Sequence, residues 1–249
     1  MRRPFSMTLG RHASPGSLSL RLVFIDALSA DQRLGWLDLL KTFVELAQCG
    51  ALCGASIAPA RSGSVVVHAH VQGDEAALEL SDTVLDPAAC TVLLNLCHWA
   101  HAQFAPLRSV SLAWADLPDL APAADADLPF PGTCARPGFA LTEYELVGQT
   151  IAVDIEFETP QSERDRERIN TTLGHWFKAA NWGGYADELF PPESSTLTVA
   201  SPPMVDDELG ISWYFESYHC SHAVFGGLLN CLARINATDA PIRQVTIGE

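Results

Sequence analysis

Apolar and polar positions along this chain follow two rhythms, one of period two and one of period 3.6, and the rhythms recur in the same order twice. In the first half, residues 18–26 alternate as a strand. A helical stripe follows over 29–50, where Trp36, Leu39, Leu40, Phe43, Val44 and Ala47 share one face. Ser29 is placed to cap that helix, Asp31 lies in its first turn and Gly50 closes it. A loop over 51–63 leads to strands at 65–71 and 76–81, joined by the polar turn Gln72-Gly73-Asp74-Glu75. Asp86-Pro87 opens a second helix reaching about 104, and 107–114 is a final strand. The second half predicts a strand at 151–158, a helix at 162–181, strands at 195–200 and 211–218, a helix at 222–236 and a strand at 242–247.

Residues 93–113 align without a gap on residues 228–248, at a constant offset of 135. Identities fall at Leu93/Leu228, Leu94/Leu229, Asn95/Asn230, Ala102/Ala237, Ala105/Ala240, Pro106/Pro241, Arg108/Arg243 and Val110/Val245. The first helices align at an offset of 133, pairing Leu40 with Leu173, Phe43 with Trp176, Ala47 with Ala180 and Gly50 with Gly183. The chain therefore reads as a tandem duplication. The order β-α-β-β-α-β in each half is that of the ferredoxin-like split-βαβ sandwich, an α+β fold with two helices on one face of an antiparallel sheet. The expected division is a first repeat at 18–116, a Pro/Ala/Asp-rich linker at 117–140 and a second repeat at 141–249.

Each such sheet has one face that its own helices leave bare. Two bare faces could pack together, or the sheets could join edge to edge. Alternation decides what the second bare face carries. Val153, Ile155 and Phe157 fall on one side, and Asp154, Glu156 and Glu158 on the other. Trp213 and Phe215 point inward, and Tyr214, Glu216 and Tyr218 outward, as do Gln244 and Thr246. Unpaired carboxylates are costly to bury, so this acidic, aromatic face is expected to be exposed or to line a cleft. Trp182 and Tyr185, flanking Gly183-Gly184 in a loop, are expected to extend the recognition surface.

Composition narrows the function. Of 249 residues, 48% are hydrophobic, enough for a full core. Thirty acidic against 15 basic residues give a net charge of −15, with Lys41 and Lys178 the only lysines. That balance argues against nucleic acid and against an anionic membrane, and favours a basic partner. No apolar run is long enough to span a bilayer, and the N-terminal stretch lacks the apolar core of a signal peptide. Seven cysteines without a CxxC motif point to reduced thiols and the cytoplasm.

Several constellations could carry chemistry. Asp26 with Asp74 and Glu75, or one of Asp154, Glu156 or Glu158 with Asp206, Asp207 and Glu208, resemble in placement the carboxylates of polymerase and cyclase palm domains, which hold Mg²⁺. No Gly-rich phosphate loop accompanies them. Acids in hairpin turns are ordinary turn chemistry. The histidines pair as His68/His70, His98/His101 and His219/His222. The segment His219-Cys220-Ser221-His222 is the nearest approach to a Zn²⁺ site, and Cys220, beside His219 and His222, is the candidate thiol nucleophile. It lies where a strand passes into a helix and shows no fourth ligand. No GxSxG motif is present, and Arg108/Arg243 suggests a structural ion pair.

The expectation is a non-catalytic binding protein without a cofactor, with homo-oligomerisation left open. In general character it resembles the immunity proteins that neutralise basic, nuclease-type bacterial toxins. The resemblance runs through the 151–158 and 211–218 strands and rests on no diagnostic motif. It implies recognition by Asp154, Glu156, Glu158, Tyr214, Glu216 and Tyr218. The competing expectation is an enzyme or small-ligand protein with a site between the repeats.

Overall fold

The computed structural model describes residues 3–14, 16–52, 65–82, 85, 87–115, 130, 133, 137–144, 146, 150–199, 204–207 and 209–248. Its elements in chain order are β1 (Ser6–Gly10), β2 (Leu18–Phe24), α1 (Ala30–Gln48), β3 (Val65–Gln72), β4 (Glu75–Ser81), α2 (Pro87–Gln103) and β5 (Leu107–Trp114), followed by β6 (Ala140–Glu143), β7 (Thr150–Phe157), α3 (Glu163–Asn181), β8 (Thr196–Val199), β9 (Met204–Asp207), β10 (Gly210–Tyr218), α4 (Ala223–Thr238) and β11 (Ile242–Gly248). This is a mixed α+β architecture with two sheets. The first has the strand order β1-β5-β2-β4-β3, and the second β6-β11-β7-β10-β8, with β9 also on β10.

Within each half, the strands that alternation predicts form an antiparallel set, β5-β2-β4-β3 and β11-β7-β10-β8. Three strands lie beyond the prediction. β1 precedes the expected first boundary and pairs parallel with β5. β6 does the same with β11, starting one residue ahead of the expected second boundary. Both are short edge strands, too brief to show a period of two. β9 pairs with β10 at Gly210 and Ser212, ahead of the stretch from Phe215 to Tyr218 that β8 pairs.

The helices begin where capping chemistry dictates. The Ser29 side chain accepts from the Gln32 N–H, and Gln32 returns a bond to the Ser29 N–H, closing a capping box. Ser162 accepts from the Asp165 N–H in the same way. Gly50 and Gly183 end the equivalent helices with φ of 84° and 70°.

Loop bonds repeat as faithfully as the elements. The Phe24 and Phe157 N–H groups donate to the carbonyls of Asp74 and Leu209, and those of Ile25 and Glu158 to the carbonyls of Pro106 and Pro241. His101 Nδ1 accepts from the Leu107 N–H at 2.8 Å, and Asn236 Oδ1 accepts from the Ile242 N–H at 2.7 Å. Each donor and acceptor pair here is related by the offsets seen in the sequence.

Among the described residues, the two sheets neither pack on each other by their bare faces nor merge at their edges. The helices of the two halves meet instead, α1 against α3, leaving the sheets outside. Lys178 sits 2.7 Å from both carboxylate oxygens of Asp38, and His175 lies 2.8 Å from Glu45. Two buried bonds are reciprocal. Asn95 Nδ2 donates to the Gly184 carbonyl and Asn230 Nδ2 to the Ala51 carbonyl, both at 3.1 Å. Asn95 and Asn230 are the identical pair of the repeat, and Ala51 and Gly184 are related by the offset of 133. One surface meets its own counterpart, as in an isologous dimer joined into a single chain. The apolar core is continuous across this junction. No helix among the described residues is long and apolar enough to cross a membrane.

Candidate functional site

The outer face of the second sheet is the place where charge, aromatic rings and exposure coincide. Along β7 the residues Ile151, Val153, Ile155 and Phe157 are buried against the helices, while Asp154 is half-buried and Glu156 exposed. Along β10 the inward side chains are Ile211, Trp213 and Phe215. Phe215 meets Trp176 of α3 edge-on at 5.5 Å, and the Trp176 indole N–H donates to the Val224 carbonyl of α4 at 2.8 Å. That packing locks the pleat, so the intervening residues must face out.

Register brings the outward residues together. Asp154 stands between Ser212 on β10 and Thr246 on β11, and Glu156 opposite Gln244. Tyr214 opposes Ala152 and is 51% exposed. Glu216 opposes Thr150, and its carboxylate accepts from the Tyr218 hydroxyl at 3.0 Å. That bond, and then the carboxylate's charge, hold the Tyr218 phenol above its ordinary pKa. Glu158 follows the strand and is exposed. Among the described residues, none of these carboxylates is in an ion pair. The neighbouring amides and hydroxyls, Gln244, Thr246 and Thr142, form a polar flank in which Gln244 donates to Thr142 at 3.3 Å. They are on the same alternation as the acids, which is the sequence signal that identifies them.

Trp182 and Tyr185 do not join this face. Trp182 stacks on Trp99 of the first half, with ring centroids 5.1 Å apart, under the Lys178 ammonium at 4.6 Å. Tyr185 is 4% exposed and lies against Gly227 of α4. The Gly183 turn folds the segment inward onto the helical layer, where a side chain on Gly183 would strike the Pro192 carbonyl.

Several other constellations are taken up by contacts within the fold, and His68 and His70 bond each other at 2.7 Å. His219 stacks on Phe190 at 3.7 Å, and Cys220 takes a bond from Ser195 at 3.5 Å. Burial pushes the Cys220 thiol up, against the thiolate that nucleophilic attack needs. His222 is the N-cap residue of α4. His101 spends Nδ1 on the backbone, and burial lowers the pKa of His98 and of His101. Glu75 is 2.5 Å from Arg21. Arg108 donates to the Ile25 carbonyl at 3.1 Å. The described residues contain no group of three His, Cys, Asp or Glu side chains arranged to hold a metal ion. The side chains of Asp206 and Asp207, and Glu208 entirely, lie outside the described residues.

An apolar notch of about 200 Å³ is bounded by Leu173, Trp176, Phe177, Val199, Trp213 and Phe215. It belongs to the second half alone and not to the junction between repeats, where the expected ligand site would be.

No family model matches the chain, and no curated protein matches it. Solved structures show only faint likeness. An M16-like peptidase from Alicyclobacillus acidocaldarius aligns at a TM-score of 0.25 and 10% identity, over 95% of this chain and 79% of the peptidase. A Helicobacter pylori protease aligns at 0.23 and 8%, over 89% and 74%. A Methanosarcina barkeri formyltransferase aligns at 0.20 and 8%, over 97% and 92%. Similarity of this degree supports no argument about fold or function.

Proposed function

We propose that the chain is a non-catalytic binding protein whose second sheet offers an acidic, aromatic face to a basic protein. The observation that carries the proposal is that Asp154, Glu156, Glu216, Tyr214 and Tyr218 share one outward face and that its carboxylates are not spent on ion pairs within the described residues. Acids on a rigid sheet steer a cationic partner and fix its register. Tyrosines beside them supply large, weakly entropic anchors once water is excluded. A basic toxin of the nuclease type is a partner with the required charge, and covering its active site would be the act of an immunity protein. We further read each half as a ferredoxin-like sandwich with an added parallel edge strand, on the support of the strand orders above. The buried, unpaired Cys90 and Cys97 favour a reducing compartment such as the cytoplasm.

The test uses the wild-type chain and a Glu156→Lys/Glu216→Lys variant as parallel baits in extract of the native host. The expected result is one basic protein, retained at low salt by the wild type, released as salt rises, and absent from the variant. A partner that binds both baits equally would overturn the proposal.

A further inference from the structure

Two thiols meet at the junction of the repeats, away from the binding face. Cys49 is the C-cap residue of α1 and Cys231 lies in α4, and their Sγ atoms are 3.5 Å apart. Cys231 is fully buried, and Cys49 is half-buried. We propose that Cys49 and Cys231 form an oxidation site that closes into a disulfide and joins the two repeats covalently.

Geometry favours this pair. A disulfide needs its sulfurs about 2.05 Å apart, so closure asks for a movement of about 1.5 Å, within the scope of side-chain torsions at one half-exposed position. The junction is already held in register by the reciprocal Asn95 and Asn230 bonds. The second of these ends on Ala51, two residues from Cys49.

With hydrogen peroxide as oxidant, the half-exposed Cys49 reacts first. Its thiolate sulfur attacks one peroxide oxygen, the O–O bond breaks, and the departing hydroxide takes a proton to become water. The Cys231 sulfur then attacks the sulfenic sulfur of Cys49. The S–S bond forms, the S–O bond breaks, and the hydroxyl leaves as water with the Cys231 proton. Two thiols and one peroxide thus become one disulfide and two waters. A helix C-terminus does not stabilise a thiolate, and the Cys49 S–H faces the Leu46 carbonyl at 3.3 Å. The first step is therefore slow, and it is the nearness of Cys231 that selects the product.

The full chain is treated with peroxide at neutral pH, quenched in acid, alkylated under denaturing conditions and digested without reductant. The expected product is a linked peptide holding Cys49 and Cys231, lighter by two hydrogens than its parts and separated by dithiothreitol. The melting temperature of the oxidised protein should rise by about 5–10 °C, because the bond closes a long loop. Cys49→Ser and Cys231→Ser should each abolish both effects. The Cys49 variant, at a half-exposed position, keeps the test valid if the buried one fails to fold. Full alkylation of Cys231 after oxidation, or a bond from Cys49 to Cys53, would overturn the proposal.

Discussion

On the outer face of the first sheet, Arg21 holds Glu75 at 2.5 Å and the exposed Glu79 stands between Ser19 and His68, among the small residues Ala77, Ser109, Ser111 and Ala113. On the second, the equivalent surface carries Asp154, Glu156, Glu216, Tyr214 and Tyr218, with none of those carboxylates in an ion pair among the described residues. The strand orders beneath are the same. Towards the junction the halves agree to the level of single hydrogen bonds, and away from it they diverge. A duplicated scaffold needs both copies of its mutual interface, where the Asn95 and Asn230 bonds are one contact made twice. It needs neither outer face for folding. Chemistry that differs between the copies therefore marks where a specific role can sit.

The largest expected effect breaks the second half alone. Gly183→Ala forces a left-handed residue to carry a Cβ that would lie 2.1 Å from the Pro192 carbonyl. The cost should be about 3 kcal/mol in urea denaturation, through strain and displacement together.

Next are the reciprocal asparagines, where both halves should respond. Asn95→Ala and Asn230→Ala each leave a buried carbonyl without its donor, at about 1–3 kcal/mol apiece. Calorimetry should find a loss from each, the larger from Asn95→Ala, which also removes the acceptor of the Arg3 guanidinium at 2.6 Å. A large loss from one and none from the other would break the two-fold picture of the junction.

The pH response separates the halves again. Burial lowers the His98 pKa, and the equivalent position in the second repeat is Ala233. A depressed histidine is neutral when folded, so the unfolded chain binds the extra proton as acid is added. The stability contribution is complete above about pH 6.5, the unfolded value, and is lost as pH falls from there towards the folded value. Melting temperatures between pH 7.5 and 5 should fall less steeply in His98→Ala than in the wild type. His101 and His175, lowered for the same first reason, keep some slope in the variant.

The smallest effect on stability, and the most telling for function, is at Tyr214. Tyr214→Ala on the exposed face should change stability by no more than about 0.5 kcal/mol. It should still weaken retention of the basic partner.

Alternation and helical stripes made most of this legible in advance. The Leu107–Trp114 strand, the Ser29 cap and the inward set Val153, Ile155 and Phe157 follow directly from residue order. The edge strands β1 and β6 do not, because four or five residues pairing only with a distant strand have no local signature. The meeting of helical layers was equally hidden. The repeat named Asn95 and Asn230 without revealing that each donates across to the other half. Glycines flanked by aromatics suggest an open loop, and with it a surface place for Trp182 and Tyr185. The left-handed Gly183 instead turns them inward, onto Trp99 and Gly227.

The central claim is that the second outer face, and not the first, recognises a basic partner. Matched double reversals on the two faces test it directly: Glu156→Lys/Glu216→Lys on one and Glu75→Lys/Glu79→Lys on the other, compared for retention of the salt-eluted partner. The account predicts loss of binding in the first variant and wild-type retention in the second. Equal retention by both, or loss only in the second, would contradict it.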